Sequence, residues 1–312
     1  MRAAEDIVAV FFAAGLVAHA QDRVIPEDRT FRAGINLTSV TATVRNEEGR
    51  LVTSLGRDDF EIFEDGEPMT IAQFTSERVP LSLGLLLDTS DSMYGKRLED
   101  ARAAVSRFLL ELLDHDDEFF LVAFNHSHNV LTGWTTEPAT VNLALDSLIP
   151  TGSTAAYDAV MASLPFFARR GRQRAALLII SDGADTASDT PVRTLRSALN
   201  RADVFVYAIA IDPPDTPTLN VRINPQALRE ITDPSGGRTE VIQNSADLAE
   251  TTASIAEELN HQYMLGYSPR HGDDGKYHRI RVSVRGGNYH VRARNGYVAA
   301  PNHPADGPRV PH

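Results

Sequence analysis

Cysteine is absent from the 312 residues, and tryptophan occurs once. Without thiols the chain forms no disulfide, no thiolate zinc site, no iron–sulfur cluster and no cysteine nucleophile. Basic residues are in deficit as well: 30 Lys and Arg against 42 Asp and Glu leave a net charge of −12. A general nucleic-acid binder needs a basic footprint, so this balance argues against nucleic acid as a partner. No apolar run reaches the roughly 18 residues of a membrane-spanning helix, and no integral membrane segment is expected in the mature chain. What is present is ordinary globular chemistry, 42% hydrophobic and 23% charged. That composition rules out a disordered or fibrous chain.

Arg2 precedes an apolar stretch over 7–20 that ends in Ala18-His19-Ala20. A short apolar core closed by small residues is the pattern of a secretory signal peptide over 1–20. Glu5 and Asp6 are unusual in its leading segment, which is ordinarily basic. The expectation is an exported protein, periplasmic or secreted.

Three regions follow. Over 31–79, short apolar segments at 35–44, 60–63 and 69–71 are separated by Asn46-Glu47-Glu48-Gly49 and Asp65-Gly66, which predicts antiparallel strands. Over 81–261 the rhythm changes. Apolar strand patterns at 81–87, 118–124, 175–180, 204–211 and 238–242 alternate with helical patterns at 97–113, 141–148, 155–168, 191–200, 227–231 and 246–259. Such alternation predicts an α/β fold, a doubly wound and mostly parallel sheet covered on both faces. Over 262–300 strands return, at 263–267, 277–284 and 289–294. Neither flanking region has enough strands to stand alone. They are expected to pair into one smaller antiparallel β domain, with the α/β domain inserted between them. The Pro-rich segment 212–225 reads as a long loop near a strand end, and 301–312 as a loose tail.

Five oxygen-bearing side chains fall at the predicted strand ends. Asp88, Ser90 and Ser92 follow the first buried strand, Thr154 stands in Gly152-Ser153-Thr154 before a helix, and Asp182 precedes Gly183. In an open α/β sheet these ends border the ligand crevice. Each residue alone has a plain structural use: helix cap, turn or dipole partner. Together they form an all-oxygen set suited to a hard cation, Mg²⁺, Mn²⁺ or Ca²⁺. Two carboxylates and three hydroxyls do not enclose such an ion, so water or an outside oxygen completes it. A partner's Glu or Asp would serve.

The run Gly84-Leu85-Leu86-Leu87-Asp88-Thr89-Ser90-Asp91-Ser92-Met93, with Gly152-Ser153-Thr154 and Ile179-Ile180-Ser181-Asp182-Gly183, resembles the von Willebrand factor type A (VWFA) domain and its metal-ion-dependent adhesion site. The resemblance covers 81–261. A narrower resemblance, to bacterial secreted VWFA-related proteins, extends over about 37–298. It rests on Asp59-Phe60, Glu64-Asp65-Gly66, Ser235-Gly236-Gly237-Arg238, Tyr263-Met264-Leu265-Gly266-Tyr267-Ser268-Pro269 and Asn295-Gly296-Tyr297. It implies a Rossmann-like fold, a divalent cation held by Asp88, Ser90, Ser92, Thr154 and Asp182, and protein binding rather than catalysis. The Pro-rich segment departs from a minimal A domain.

Other signals are weaker. His126 and His128 have strand spacing but no third zinc ligand, and they read as a solvated loop; with Asp185 they are candidate partner contacts. The same three residues are the only candidates for a general base, should the ion activate water for hydrolysis instead. A third reading is a metal that only stabilises the fold. Arg169-Arg170-Gly171-Arg172 and Arg174 read as a solvated basic run. The tyrosines at 263, 267, 277, 289 and 297 read as sheet packing. For the leader, exported protein is expected to begin at Gln21 on N-terminal sequencing; an intact Met1 in that fraction would refute it.

Overall fold

The computed structural model describes residues 37–168, 174–182, 185–211, 225–272 and 274–299. The expected leader, the tail and nearly all of the Pro-rich segment lie outside them. Four strands come first, β1 (Thr38–Arg45), β2 (Phe60–Glu64), β3 (Glu67–Met69) and β4 (Ile71–Thr75). The alternating section follows as β5 (Ser82–Asp88), α1 (Lys96–Arg107), β6 (Glu118–Phe124), β7 (His128–Thr135), α2 (Pro138–Asp146), α3 (Ala156–Ala168) and β8 (Ala175–Ser181). It continues as α4 (Val192–Ala202), β9 (Phe205–Ile211), α5 (Pro225–Thr232), β10 (Thr239–Ile242) and α6 (Leu248–Asn260). The chain then returns to strands: β11 (Tyr263–Tyr267), β12 (Tyr277–Val284), β13 (His290–Ala293) and β14 (Gly296–Val298).

The central sheet has the order β10-β9-β8-β5-β6-β7. All its pairings are parallel except β6 with β7. Every residue of β5 is buried, because a strand covered on both faces must be apolar on both. Leu83, Leu85 and Leu87 face α1, α2 and α6. Leu86 packs on the other face with residues of α3, α4 and α5. Gly84 is small by necessity, since a Cβ there would stand 2.5 Å from the Leu177 and Phe120 side chains. The amphipathic pattern over 97–113 is met by α1 and a π-helical turn over Phe108–Leu112 that continues it. Strand β7 was not predicted. It is an edge strand with one buried residue, Thr132, so it lacks the alternation that marks a half-buried strand.

The flanking segments pair with each other as expected, but as two antiparallel four-stranded sheets, ordered β13-β1-β11-β4 and β14-β12-β2-β3. In the first, β1 pairs with β11 from Thr38↔Tyr267 to Ala42↔Tyr263. In the second, β2 pairs with β12 from Glu64↔Ile280 to Phe60↔Val284. Val40, Ala42, Phe60, Ile62, Leu265 and Ile280 form their shared core, together with Tyr263 and Tyr267, which confirms packing as the role of those two tyrosines.

Polar joints tie these sheets to the α/β part. Glu258 on α6 is fully buried. It accepts from Arg45 of β1 at 3.0 Å and from the Tyr207 hydroxyl of β9 at 2.9 Å. It also pairs with Arg292 of β13. Arg238 Nε stands 3.3 Å away without hydrogen-bond alignment and contributes as charge. Arg174 corrects the expectation of a solvated basic run. It is buried, and it donates to the Val79 carbonyl and to Gln262 Oε1, so it clips the segment entering the α/β part to the segment leaving it. Burial brings its pKa down to about 10, which leaves it charged at neutral pH. Among the described residues no helix is long and apolar enough to cross a membrane.

Burial disfavours the Glu258 charge, but Arg292, Arg238 and Arg45 outweigh it and hold the carboxyl below its usual pKa of 4.5. Its stabilisation is therefore complete above the unfolded value and is lost as pH falls below it and through the lower folded value. Glu258→Ala is expected to cost about 3–5 kcal/mol, because three arginines lose a buried counter-charge. Urea denaturation at pH 7 checks the loss. The gap between variant and wild type should narrow below about pH 4.5.

Candidate metal centre

The parallel register of β5 and β8 sets Leu87 beside Ile180, so both strands deliver their last residues to one edge. Asp88, the end of β5, is fully buried. Its Oδ1 accepts the Ser90 N–H at 2.8 Å, and its Oδ2 accepts the Ser181 hydroxyl. Both donors are neutral. Ser90 Oγ lies 3.0 Å from Ser92 Oγ, and the Ser92 hydroxyl donates to Asp182 Oδ1 at 2.6 Å. Arg97, in the first turn of α1, donates to the Ser92 carbonyl at 2.8 Å and to Asp182 Oδ2. Four of the five predicted ligands thus form one hydrogen-bonded chain.

Thr154 is placed through its backbone. The loop before α3 is tied to the Asp88 loop by Thr151 N–H to the Thr89 carbonyl at 2.8 Å and by Asp91 N–H to the Gly152 carbonyl at 2.9 Å. It is tied to the loop after β8 by the Thr186 and Ala187 N–H groups, which reach the Thr154 carbonyl at 2.9 and 3.0 Å. Thr154 itself is buried. Gly152 has φ +80, and a Cβ there would stand 2.6 Å from His126 Nδ1. The positive φ is what requires glycine there. His126 therefore packs on the Thr154 loop from the turn between β6 and β7, and both it and His128 are exposed. His128 is the first residue of β7, paired with Phe124, and not part of a loop. Asp185 is engaged at the start of α3, where Oδ1 accepts Tyr157 N–H at 3.3 Å and the Ser188 hydroxyl at 2.6 Å.

Sequence reasoning missed Arg97 and Ser181. Arg97 is one of several cations on the α1 pattern, and only the folded turn selects it. Ser181 borders Asp182 in the chain, but the register of two strands is needed to set it against Asp88.

Burial lifts the Asp88 carboxyl to about 6, against the lowering effect of its bonds from Ser181 and Ser90. Burial raises Asp182 too, opposed by Ser92 and Arg97. A buried carboxylate with only neutral donors, beside two hydroxyls with spare lone pairs, is under-compensated. An oxygen-only set of this kind fits a hard divalent cation.

Residues 83–184 match the family model described as von Willebrand factor type A domain. Over that segment, which holds all five predicted ligands, the chain is similar to the von Willebrand factor type A family. Among solved structures, a von Willebrand factor type A protein from Catenulispora acidiphila is similar at 14% identity and TM-score 0.52, over 78% of this chain and 74% of that one. Proximal thread matrix protein 1 from the mussel byssus is similar at 13% identity and TM-score 0.50, over 70% of this chain and 50% of that one. A further structure of that mussel protein has zinc in its adhesion-site motif, with 16% identity, TM-score 0.49, and coverage of 63% of this chain and 49% of that one. At these identities the likeness is one of fold. No match was found among curated proteins.

Unfolded Asp88 gives up its proton near 3.8 and the folded residue keeps it to about 6. Between those values the folded state binds more protons, so stability falls as pH rises through that window. The difference amounts to about 3 kcal/mol against folding at pH 7 without metal. In chelator, denaturation at pH 5 and pH 7 should show Asp88→Asn losing less stability over this interval than wild type.

Proposed function

We propose that the protein is an exported binding module that captures a protein partner through a divalent cation. Residues 81–261 act as the binding domain, and 31–79 with 262–300 form the β support that orients it. Asp88 and Asp182 supply charge; Ser90, Ser92 and Thr154 position the ion. Mg²⁺ is the favoured ion, with Mn²⁺ or Ca²⁺ as substitutes, because the donors are all oxygen. A Glu or Asp of the partner completes the coordination. His126, beside the Thr154 loop, together with His128 and Asp185, borders the surface on which that partner lands.

One observation carries this reading: the hydrogen-bonded chain Ser90–Ser92–Asp182 beside the buried Asp88 carboxylate. Hydroxyls give little charge, so an ion held there stays electrophilic toward an incoming carboxylate. The engagement of Asp185 at the start of α3 supports binding over hydrolysis, since its Oδ1 already accepts two hydrogen bonds.

Calorimetric titration of the full chain with Mg²⁺ or Mn²⁺ should show one saturable site, lost in Asp182→Ala. Pull-downs from the native envelope should depend on the metal and fail in chelator. Equal metal uptake by wild type and Asp182→Ala, or capture that survives both chelator and Asp88→Ala, would overturn the proposal.

A further inference from the structure

Two large apolar side chains stand in solvent beside the edge that carries Asp88. Tyr94 is 79% exposed and Ile149 is 75% exposed. Exposed apolar residues are ordinary when they are scattered singly. These two line one groove of about 300 Å³, with Leu148 and Pro150 between them in its wall. Leu148 packs on the core beneath the central sheet, so the groove is anchored to the interior. Arg102 of α1 donates to the Leu148 carbonyl and ties the helix side of the groove to the loop side.

Both sides of the groove continue the segments that build the candidate metal centre. Tyr94 closes the 3-10 turn Asp91–Met93, which carries Ser92, and its N–H reaches the Asp91 carbonyl at 3.3 Å. Ile149 and Pro150 lead into Thr151 and Gly152, which are bonded to Thr89 and Asp91 at 2.8 and 2.9 Å. Two residues of chain span at most about 7 Å and four at most about 14 Å. The Tyr94 Cα therefore lies within about 7 Å of the Ser92 Cα, and the Pro150 Cα within about 14 Å of the Thr154 Cα. Charge separates the two places. Glu99 lines the groove and is exposed, while its neighbour Lys96 is already paired with Asp100 at 2.8 Å. A carboxylate entering the groove would meet Glu99, so the groove favours an uncharged apolar side chain and leaves the carboxylate to the ion.

We propose that the groove between Tyr94 and Ile149 selects the partner: it takes a large aliphatic side chain of a protein segment whose Glu or Asp, two to four residues away, completes the ion. This inference rests on the ion-centred reading of Asp88 and adds the second anchor to it. An extended segment advances about 3.4 Å per residue, so two to four residues cover about 7–14 Å, the same span that the chain allows between the groove and the ligand loops. A carboxylate alone offers the ion no means of telling one acidic segment from another. An aliphatic anchor in a formed groove beside it supplies that distinction, because burial of apolar area adds affinity only when both anchors fit at once.

The test titrates the full chain, in Mn²⁺, with fluorescein-labelled Gly-Ser peptides that carry one Glu and one Leu two, three or four residues away on either side. Companion peptides replace Leu by Ala or Lys, or Glu by Gln. The best Glu–Leu peptide is expected to bind at least about tenfold tighter than its Glu–Ala companion, the scale of burying part of one large apolar side chain. Tyr94→Ser and Ile149→Ser, both at exposed positions and checked for fold by circular dichroism, should each abolish that preference while Mn²⁺ uptake stays unchanged. Failure of wild type to take up Mn²⁺ would overturn the ion-centred reading and this proposal with it. Mn²⁺ uptake without a preference for Leu over Ala would overturn this proposal alone. So would tighter binding of the Lys peptide, a Leu preference that survives in both variants, or a dimer in sedimentation that Tyr94→Ser dissociates, which would assign the groove to a second copy of the chain.

Discussion

Glu258 is the point on which the joint between the central sheet and the β13-β1-β11-β4 sheet depends. It sits on the last helix of the α/β part and is reached from the first strand, from the central sheet and from β13. A lone buried carboxylate would be strongly unfavourable. Here arginines from both flanking segments converge on it, so the chain's two ends must meet around α6 for the charge to be compensated. Arg174 extends the same network: it donates to the Val79 carbonyl where the chain enters the α/β part and to Gln262 where it leaves, and the Gln262 amide donates to the Tyr207 hydroxyl that donates to Glu258. Buried ion pairs of this kind add little net stability over apolar packing, but they are intolerant of misplacement. They therefore set where the β13-β1-β11-β4 sheet sits on the helical layer.

With that frame in place, the edge carrying Asp88 follows from parallel pairing. The ends of β5 and β8 are adjacent, and the loop before α3 is bonded to the segments after both. Among the described residues, the carboxylates are held with neutral donors and one guanidinium, Arg97. Burial lifts the pKa of both. That is a strained electrostatic state for a metal-free protein and a suitable one for a site that takes a cation.

Much of this was legible along the chain. Continuous apolar runs such as 82–88 and 205–211 mark strands covered on both faces, and helical spacing over 97–113 marks α1 with its π-helical extension. The pairing of the flanking segments was inferable because neither had enough strands alone. Strand β7 was not legible, since an exposed edge strand carries little apolar alternation. Arg174 was misread because a local cluster of arginines looks the same whether one member is solvated or buried between distant segments.

The amino-acid sequence by itself determined most element types, the α/β character and which oxygen-bearing side chains, at 88, 90, 92, 154 and 182, stand at predicted strand ends, because periodicity and motif spacing are local properties. Tertiary structure alone decided that Ser181 and Ser90 hold Asp88, that Arg97 pairs with Asp182, that Asp185 is spent on α3, and that His271 stacks on His278. Those contacts depend on strand register and on which segments are brought together across the fold. Charge compensation in a low-dielectric interior acts through space, so spacing along the chain does not encode it.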